Sequence, residues 1–207
     1  MKQFNDDFKS ELYKTIEDIE NKSLVEIVAA VRKNSGNYRD VSLFFASVVS
    51  FLIVSWLMFA EFIIDVYHIY FIALASFVLL YLICELINPL KRLLIRKKRM
   101  NRNVEIYGRA IFQKGGIRFT GQKTGVLIFL SVFEKQVLIL PDRGALTAVP
   151  DEEWQTLNNN FQTVFNRKDI ATAFIKELKN SGKIFAEYIL PAENDINELP
   201  DDLEVDL

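Results

Sequence analysis

The sequence has one cysteine, Cys84, and one histidine, His68. A lone thiol excludes a disulfide framework and any cysteine-rich zinc site. A lone imidazole excludes a histidine-cluster metal site and argues against a Ser-His-Asp triad. Glycine and proline are scarce, 8 and 5 among 207 residues, while a quarter of the chain is charged. That balance excludes a disordered or collagen-like chain. Neither sign of charge dominates, and a net charge of −2 excludes a bulk basic nucleic-acid binder. The sequence has no glycine-rich phosphate loop followed by Lys-Ser/Thr and no nucleophile-elbow signature. Apolar side chains are abundant instead. They make up half of the chain, with the excess concentrated between positions 43 and 87, and the remainder reads as an ordinary soluble domain. The length allows one domain, or at most two small ones.

The apolar excess forms two runs. The first opens on Leu43 and closes on Ile64, and the second opens on Tyr67 and closes on Ile87. A hydrocarbon core about 30 Å thick needs about 20 helical residues, and each run is long enough. Neither has the polar stripe of a helix packed in a soluble core. Only Asp65 and Val66 separate them, which forces an antiparallel return. The expectation is a two-span transmembrane hairpin over 43–87. Arg32, Lys33 and Arg39 precede it, the stretch 91–102 that follows is dense in Lys and Arg, and the tip has neither. The positive-inside rule then places both termini in the cytoplasm, with Asp65 and His68 outside. Residues 1–42 are polar and show no signal-peptide pattern, so the first span serves as its own insertion signal. The basic stretch reads first as a stop-transfer signal and second as an anionic-lipid site. It lacks the interleaved aromatics of a single-strand nucleic-acid binder, so no nucleic-acid partner is expected.

The flanking segments read as soluble structure. Phe4, Phe8, Leu12, Ile16 and Ile19 mark one face of a helix over 4–21. Residues 23–31 are mostly apolar on both faces, as in a strand covered on two sides, and 34–37 break it. After the second span, Pro89 ends or kinks the helix. A further helical pattern carries Val104, Tyr107 and Ile111 and stops at Gly115-Gly116. Residues 125–131 and 136–140 read as a strand hairpin closed by 141–144. A helix follows with Asp151 as cap and Trp154, Leu157, Phe161 and Phe165 inward, then a last helix from Asp169 with Ala173, Phe174, Leu178 and Phe185 inward. Positions 193–207 hold acids and no bases and read as a solvated tail. Neither soluble part can bury a core alone. Residues 1–41 and 91–192 are therefore expected to form one α/β domain interrupted by the hairpin.

Five landmarks carry a family resemblance. They are Glu20, Ser23 and Glu26-Ile-Val; the Ser35-Gly-x-Tyr38 turn; Thr120, Thr124 and Gly125-Val-Leu-Ile with a charged turn, a second strand and Asp142-x-Gly144; Trp154; and Asn197-Glu-Leu-Pro200. Taken in order, they resemble the TPM domain, in its integral-membrane bacterial form with two spans after the first strand. The resemblance implies a three-layer α/β/α sandwich and a bacterial inner-membrane location. Some family members have been assigned acid phosphatase activity and divalent-cation binding, and others are linked to assembly of membrane complexes. It also implies membrane lipids and other membrane proteins, LemA-like neighbours among them, as partners.

A metal-assisted phosphatase needs carboxylates converging on a divalent ion and a positive group for the phosphate. Glu26 and Asp142 are the candidate metal ligands, for an ion such as Ca²⁺ or Mg²⁺. Arg143, Ser35 and Thr124 are candidates for phosphate or another ligand. If Asp142 and Arg143 lie beside Arg32, Lys33 and Ser35, a polar pocket forms at the strand ends; Glu26, inside its strand, is expected to fall short of it. The structural alternatives are an ordinary Asp-Arg-Gly turn, a buried acid at position 26, and turn threonines at 120 and 124. Three functions follow in order of preference: a noncatalytic membrane-anchored binding or assembly module, a metal-dependent phosphatase-like hydrolase, and a channel or transporter subunit using Glu61 or Glu85.

Overall fold

The computed structural model describes residues 3–60, 65–191 and 205–206. Glu61 and Ile64, most of the acidic tail and the Asn197–Pro200 landmark lie outside them. The chain divides into two compact units, Met1–Ser35 with Asn101–Leu207, and Gly36–Met100.

In the first unit, helix α1 (Asp6–Glu20) begins where Asn5 accepts a hydrogen bond from the Phe8 N–H at 3.0 Å, with Asp6 and Asp7 in the first turn. Side-chain capping and early acids both satisfy the positive end of a helix. Phe4 lies just before the cap and packs edge-on against Phe8 at 5.1 Å. Strand β1 (Glu26–Arg32) follows and runs parallel to β2 (Gly125–Ser131), pairing Glu26 with Gly125 through Arg32 with Ser131. Strand β3 (Gln136–Pro141) runs antiparallel to β2. A two-residue strand β4 (Val205–Asp206) lies parallel to β1 beside Val31 and Arg32. The order is β3-β2-β1-β4, and every residue of β2 is buried.

Alternation divides this small sheet between two cores. Ile27, Ala29, Val31, Val126, Ile128 and Leu130 face α1, α7 (Asp151–Gln162) and α8 (Ile170–Tyr188), among Trp154, Phe161, Phe174 and Phe185. Ala30, Leu127 and Phe129 face the other way, toward Val104 and Ile111 of α5 (Lys97–Lys114) and Ile117 of a 3-10 turn, Ile117–Phe119. Helices thus cover both faces of a mixed α/β fold. The expected element order is present, with three additions, one of them β4 within the stretch 193–207 that was expected to be a solvated tail. Helix α4 (Asn88–Leu94) carries Pro89 in its first turn, where a missing N–H costs nothing, and α6 (Arg143–Ala148) follows β3. One detail differs: Pro150 holds the cap position of α7, and Asp151 is its first residue, where its charge still meets the helix dipole.

The second unit contains α2 (Arg39–Phe59) and α3 (Val66–Leu86), both long and apolar enough to cross a membrane. The first helix starts before Leu43 because Arg39, Asp40 and Ser42 are already helical. It ends at Ala60, which is extended. Its buried residues are Ser42, Ala46 and Ser50, and the buried residue of α3 is Cys84. The Ser50 hydroxyl donates to the Ala73 carbonyl at 3.0 Å and lies 2.9 Å from the Ser76 hydroxyl. Phe44, Phe51, Trp56, Phe59, Tyr70 and Phe71 point outward. Small and polar side chains inside with large apolar ones outside is the reverse of a water-soluble helix pair.

Two outcomes follow for the first unit. Leu12, fully buried under α8, loses about 2–5 kcal/mol of stability on truncation to Ala, measured by denaturant melting in detergent. At the start of α8, Asp169 accepts from the Thr172 hydroxyl at 2.8 Å and its N–H at 3.2 Å, and these bonds hold its carboxyl below the ordinary carboxylate value. A lowered folded value means the ionised cap stabilises above the unfolded value, and this contribution is lost as pH falls through the folded one. Melting of Asp169→Asn beside the parent is therefore expected to show a deficit at neutral pH that shrinks on acidification.

Candidate functional site

The direction of β3 decides where the candidate residues lie. Because β3 is antiparallel, its end lies at the amino ends of β1 and β2, and the Asp142 N–H donates to the Gly125 carbonyl at 2.8 Å. Glu26, 7% exposed, is the first residue of β1 and pairs with the same Gly125. Thr124 is buried immediately before β2, and Arg143 opens α6 in the exposed first turn. Glu26, Thr124, Asp142 and Arg143 therefore share one end of the sheet. Ser35, with Arg32 and Lys33, lies beyond the other end, about 20 Å away along seven residues of strand. The expected pocket joining Asp142 and Arg143 to Arg32, Lys33 and Ser35 does not form. Glu26, expected to fall short, is instead at Asp142's end.

At that amino end the backbone is tightly built. Glu20 accepts from the Ile27 N–H at 2.9 Å, tying the end of α1 to β1. Lys123 takes a left-handed φ of 58°, and its carbonyl accepts from the N–H groups of Gly144 at 2.9 Å and Ala145 at 3.2 Å. Gly144 is needed for this approach, since a Cβ there would sit 2.7 Å from the Lys123 carbonyl oxygen. Asp142 caps α6 through Oδ1, which accepts from the Arg143 N–H at 2.8 Å. Its Oδ2 and the Thr120 hydroxyl are buried and have no hydrogen-bond partner among the described residues. Ile117 stands over Gly125, the residue between Glu26 and Asp142 in the register; a Cβ there would lie 2.6 Å from the Ile117 carbonyl oxygen. Among the described residues no group of three or more His, Cys, Asp or Glu side chains gathers where a metal could be held. A Ca²⁺ ion takes about six to eight oxygens. The side chains at this end fall short of that set, so no metal-assisted step is derived from them.

The carboxyl ends of β1 and β2 hold a different cluster. Glu134, 4% exposed, accepts from the Ser35 N–H at 2.9 Å through one oxygen and from the Ser131 hydroxyl through the other. The Ser35 hydroxyl donates to Ser131 Oγ at 2.8 Å. Backbone bonds continue the pairing past the strand ends, from Val132 N–H to the Arg32 carbonyl at 2.9 Å and from Phe133 N–H to that of Lys33 at 2.8 Å. The Arg32 guanidinium lies 4.5 Å over the Tyr107 ring, which stacks on Phe129. Ser35 is thus bound to the fold through both of its donors. In the sequence Glu134 reads only as part of the charged turn Glu134-Lys135, and Ser131 only as the end of its strand. The available signal was a serine closing an all-apolar strand and an acid in the four-residue turn after it. Glu134→Ala is expected to lower stability by about 1–3 kcal/mol in denaturant melting, because it strands the buried Ser131 hydroxyl and the half-buried Ser35 N–H, and Ser131→Ala by less.

With this geometry in place, the comparisons with known proteins can be stated. The family model described as TPM domain matches residues 92–183, which include β2, β3 and the helices from α5 into α8. The solution structure of the BA42 protein from the psychrophilic bacterium Bizionia argentinensis is similar in fold, with a TM-score of 0.59 at 18% identity. The match covers 98% of this chain and 94% of that one. No curated protein matches. The chain carries a TPM domain, within residues 92–183.

Proposed function

We propose that the chain is an integral membrane protein of the bacterial inner membrane whose TPM domain is a noncatalytic binding or assembly module on the cytoplasmic face. In this reading the domain is an α/β/α sandwich, supported by the helices on both faces of the sheet, and α2 and α3 are its transmembrane hairpin. The observation that carries the membrane part is the inverted pattern of α2 and α3, with serines and alanine between the helices and Phe, Trp and Tyr outward. In water that surface costs free energy in proportion to its apolar area, and a lipid phase removes the cost. The concentration of bases in 91–102, against none described at the tip, supports cytoplasmic termini. The binding role is supported by how the polar groups at the strand ends are used. Asp142 caps α6, and Ser35, Ser131 and Glu134 bind one another, so these side chains serve the scaffold. The partners that fit are membrane lipids and other membrane proteins, a LemA-like neighbour among them.

The topology is tested in a Cys84→Ser background by placing one cysteine at Lys14 or at Asp65 and treating whole spheroplasts with an impermeant maleimide. Labelling at position 65 and protection at position 14 are expected. Labelling at 14, or release of the chain by alkaline carbonate, contradicts the reading.

A second reading, a metal-dependent phosphatase-like hydrolase, is favoured by one observation, the buried Asp142 Oδ2 with no hydrogen-bond partner among the described residues. Calorimetric titration of the detergent-solubilised chain with Ca²⁺ and Mg²⁺, beside Asp142→Asn, separates the two. The binding-module reading expects no saturable heat that depends on Asp142. Saturable binding lost in the variant would move the assignment to the hydrolase.

A further inference from the structure

We propose that the base of the hairpin, residues 91–98, is a binding surface for anionic phospholipid headgroups, formed because the hairpin's own carboxylates neutralise two of its bases and leave four others without a carboxylate, three of them exposed. This rests on the reading of α2 and α3 as membrane-spanning. The two neutralised bases are specific. Lys91, 9% exposed, donates to Glu85 at 2.7 Å, and Glu85 also accepts from the Ser42 hydroxyl at 2.7 Å. Glu85 is thus paired within the unit. Arg99 grips both oxygens of Asp40, at 2.6 and 2.9 Å, and also donates to the Asn37 carbonyl at 3.2 Å. Its guanidinium lies 5.4 Å from the centre of the Tyr38 ring.

Arg92, Arg96, Lys97 and Lys98 have no carboxylate partner among the described residues, and the last three are exposed. The backbone leaves helical geometry at Ile87, ψ 85°, and again at Ile95, ψ 130°. Helix α4 is thus a separate segment, not a continuation of α3. Leu93 lies among these four bases and is 82% exposed, with Leu86 80% exposed one turn before α4. Exposed leucines among unpaired bases at the end of an apolar span match a surface whose apolar part enters the acyl boundary and whose charges meet phosphates. A zwitterionic headgroup offers those charges no net attraction. Protein partners fit less well, because the four bases have no hydrogen-bond acceptor arranged beside them to fix a register.

The test uses the full chain in neutral detergent. Native mass spectrometry counts bound lipid with phosphatidylglycerol or phosphatidylcholine added at equal concentration. The parent is expected to retain phosphatidylglycerol at least tenfold better, and 0.5 M salt is expected to weaken that preference. The variant Arg92→Gln, Arg96→Gln, Lys97→Gln, Lys98→Gln is expected to fall to within about twofold of no preference. A control of equal charge change, Lys14→Gln, Lys22→Gln, Lys168→Gln, Lys176→Gln, is expected to keep the preference. Equal preference in the parent and the 92–98 variant, or loss in the control as well, overturns the proposal. Both variants are also reconstituted into phosphatidylcholine vesicles and washed with carbonate. Retention shows that the hairpin reading stands whatever the lipid result, and release shows that the hairpin reading itself has failed.

Discussion

The parallel pairing of β1 with β2 is the contact on which the rest of the first unit depends. The two strands are separated in sequence by the whole of Gly36–Met100, yet they pair over all seven residues from Glu26–Gly125 to Arg32–Ser131. Without it, α1 and β1 would be a short segment with apolar residues on two faces and nothing to bury them against. With it, one face of the sheet closes onto α1, α7 and α8 and the other onto α5 and Ile117. Closing so long a connection is entropically expensive, although the cost grows only slowly with loop length. Within that connection, α2 and α3 pair with each other, as the Ser50 hydroxyl bound to the Ala73 carbonyl shows.

Both ends of the paired strands are closed by polar contacts. At the carboxyl ends, Glu134 holds Ser35 and Ser131 just where the chain leaves for the hairpin. At the amino ends, Glu20 holds Ile27, and Asp142 holds the start of α6. A buried carboxylate is costly unless its lone pairs are used; at Glu134 a backbone N–H and a hydroxyl use them, whereas Asp142 uses Oδ1 on the Arg143 N–H and leaves Oδ2 without a partner among the described residues. The hairpin base applies the same rule with full charges: Glu85 and Asp40 are each held by one base.

Much of this architecture was legible in the residues themselves. The two-faced apolar pattern of 23–31 required a covered strand, and the hairpin strands and the faces of α1, α7 and α8 followed from their periodicity. The placement of the candidate site residues was not legible, because spacing along the chain does not say which end of a sheet a residue reaches. Reversal of β3 sends Asp142 to Glu26 and away from Ser35. Helix α6 was hidden because Asp142-Arg-Gly has the composition of a turn, and the cap role of Asp142 shows only once Ala145 is seen to be buried beneath it. Glu134 was hidden because an acid in a tight turn is ordinarily solvated; its burial depends on Ser35, which is brought to it by pairing with a strand far away in sequence.

The most direct test of the account is amide hydrogen exchange of the full chain in detergent or nanodiscs, read at β1 and β2 together. If the two strands form one sheet, amides of 27–31 and 126–130 exchange by the same global opening, with equal protection and a common response to denaturant. Rapid exchange in β1 while β2 stays protected would contradict it, and would mean that the two segments of the first unit do not fold as one.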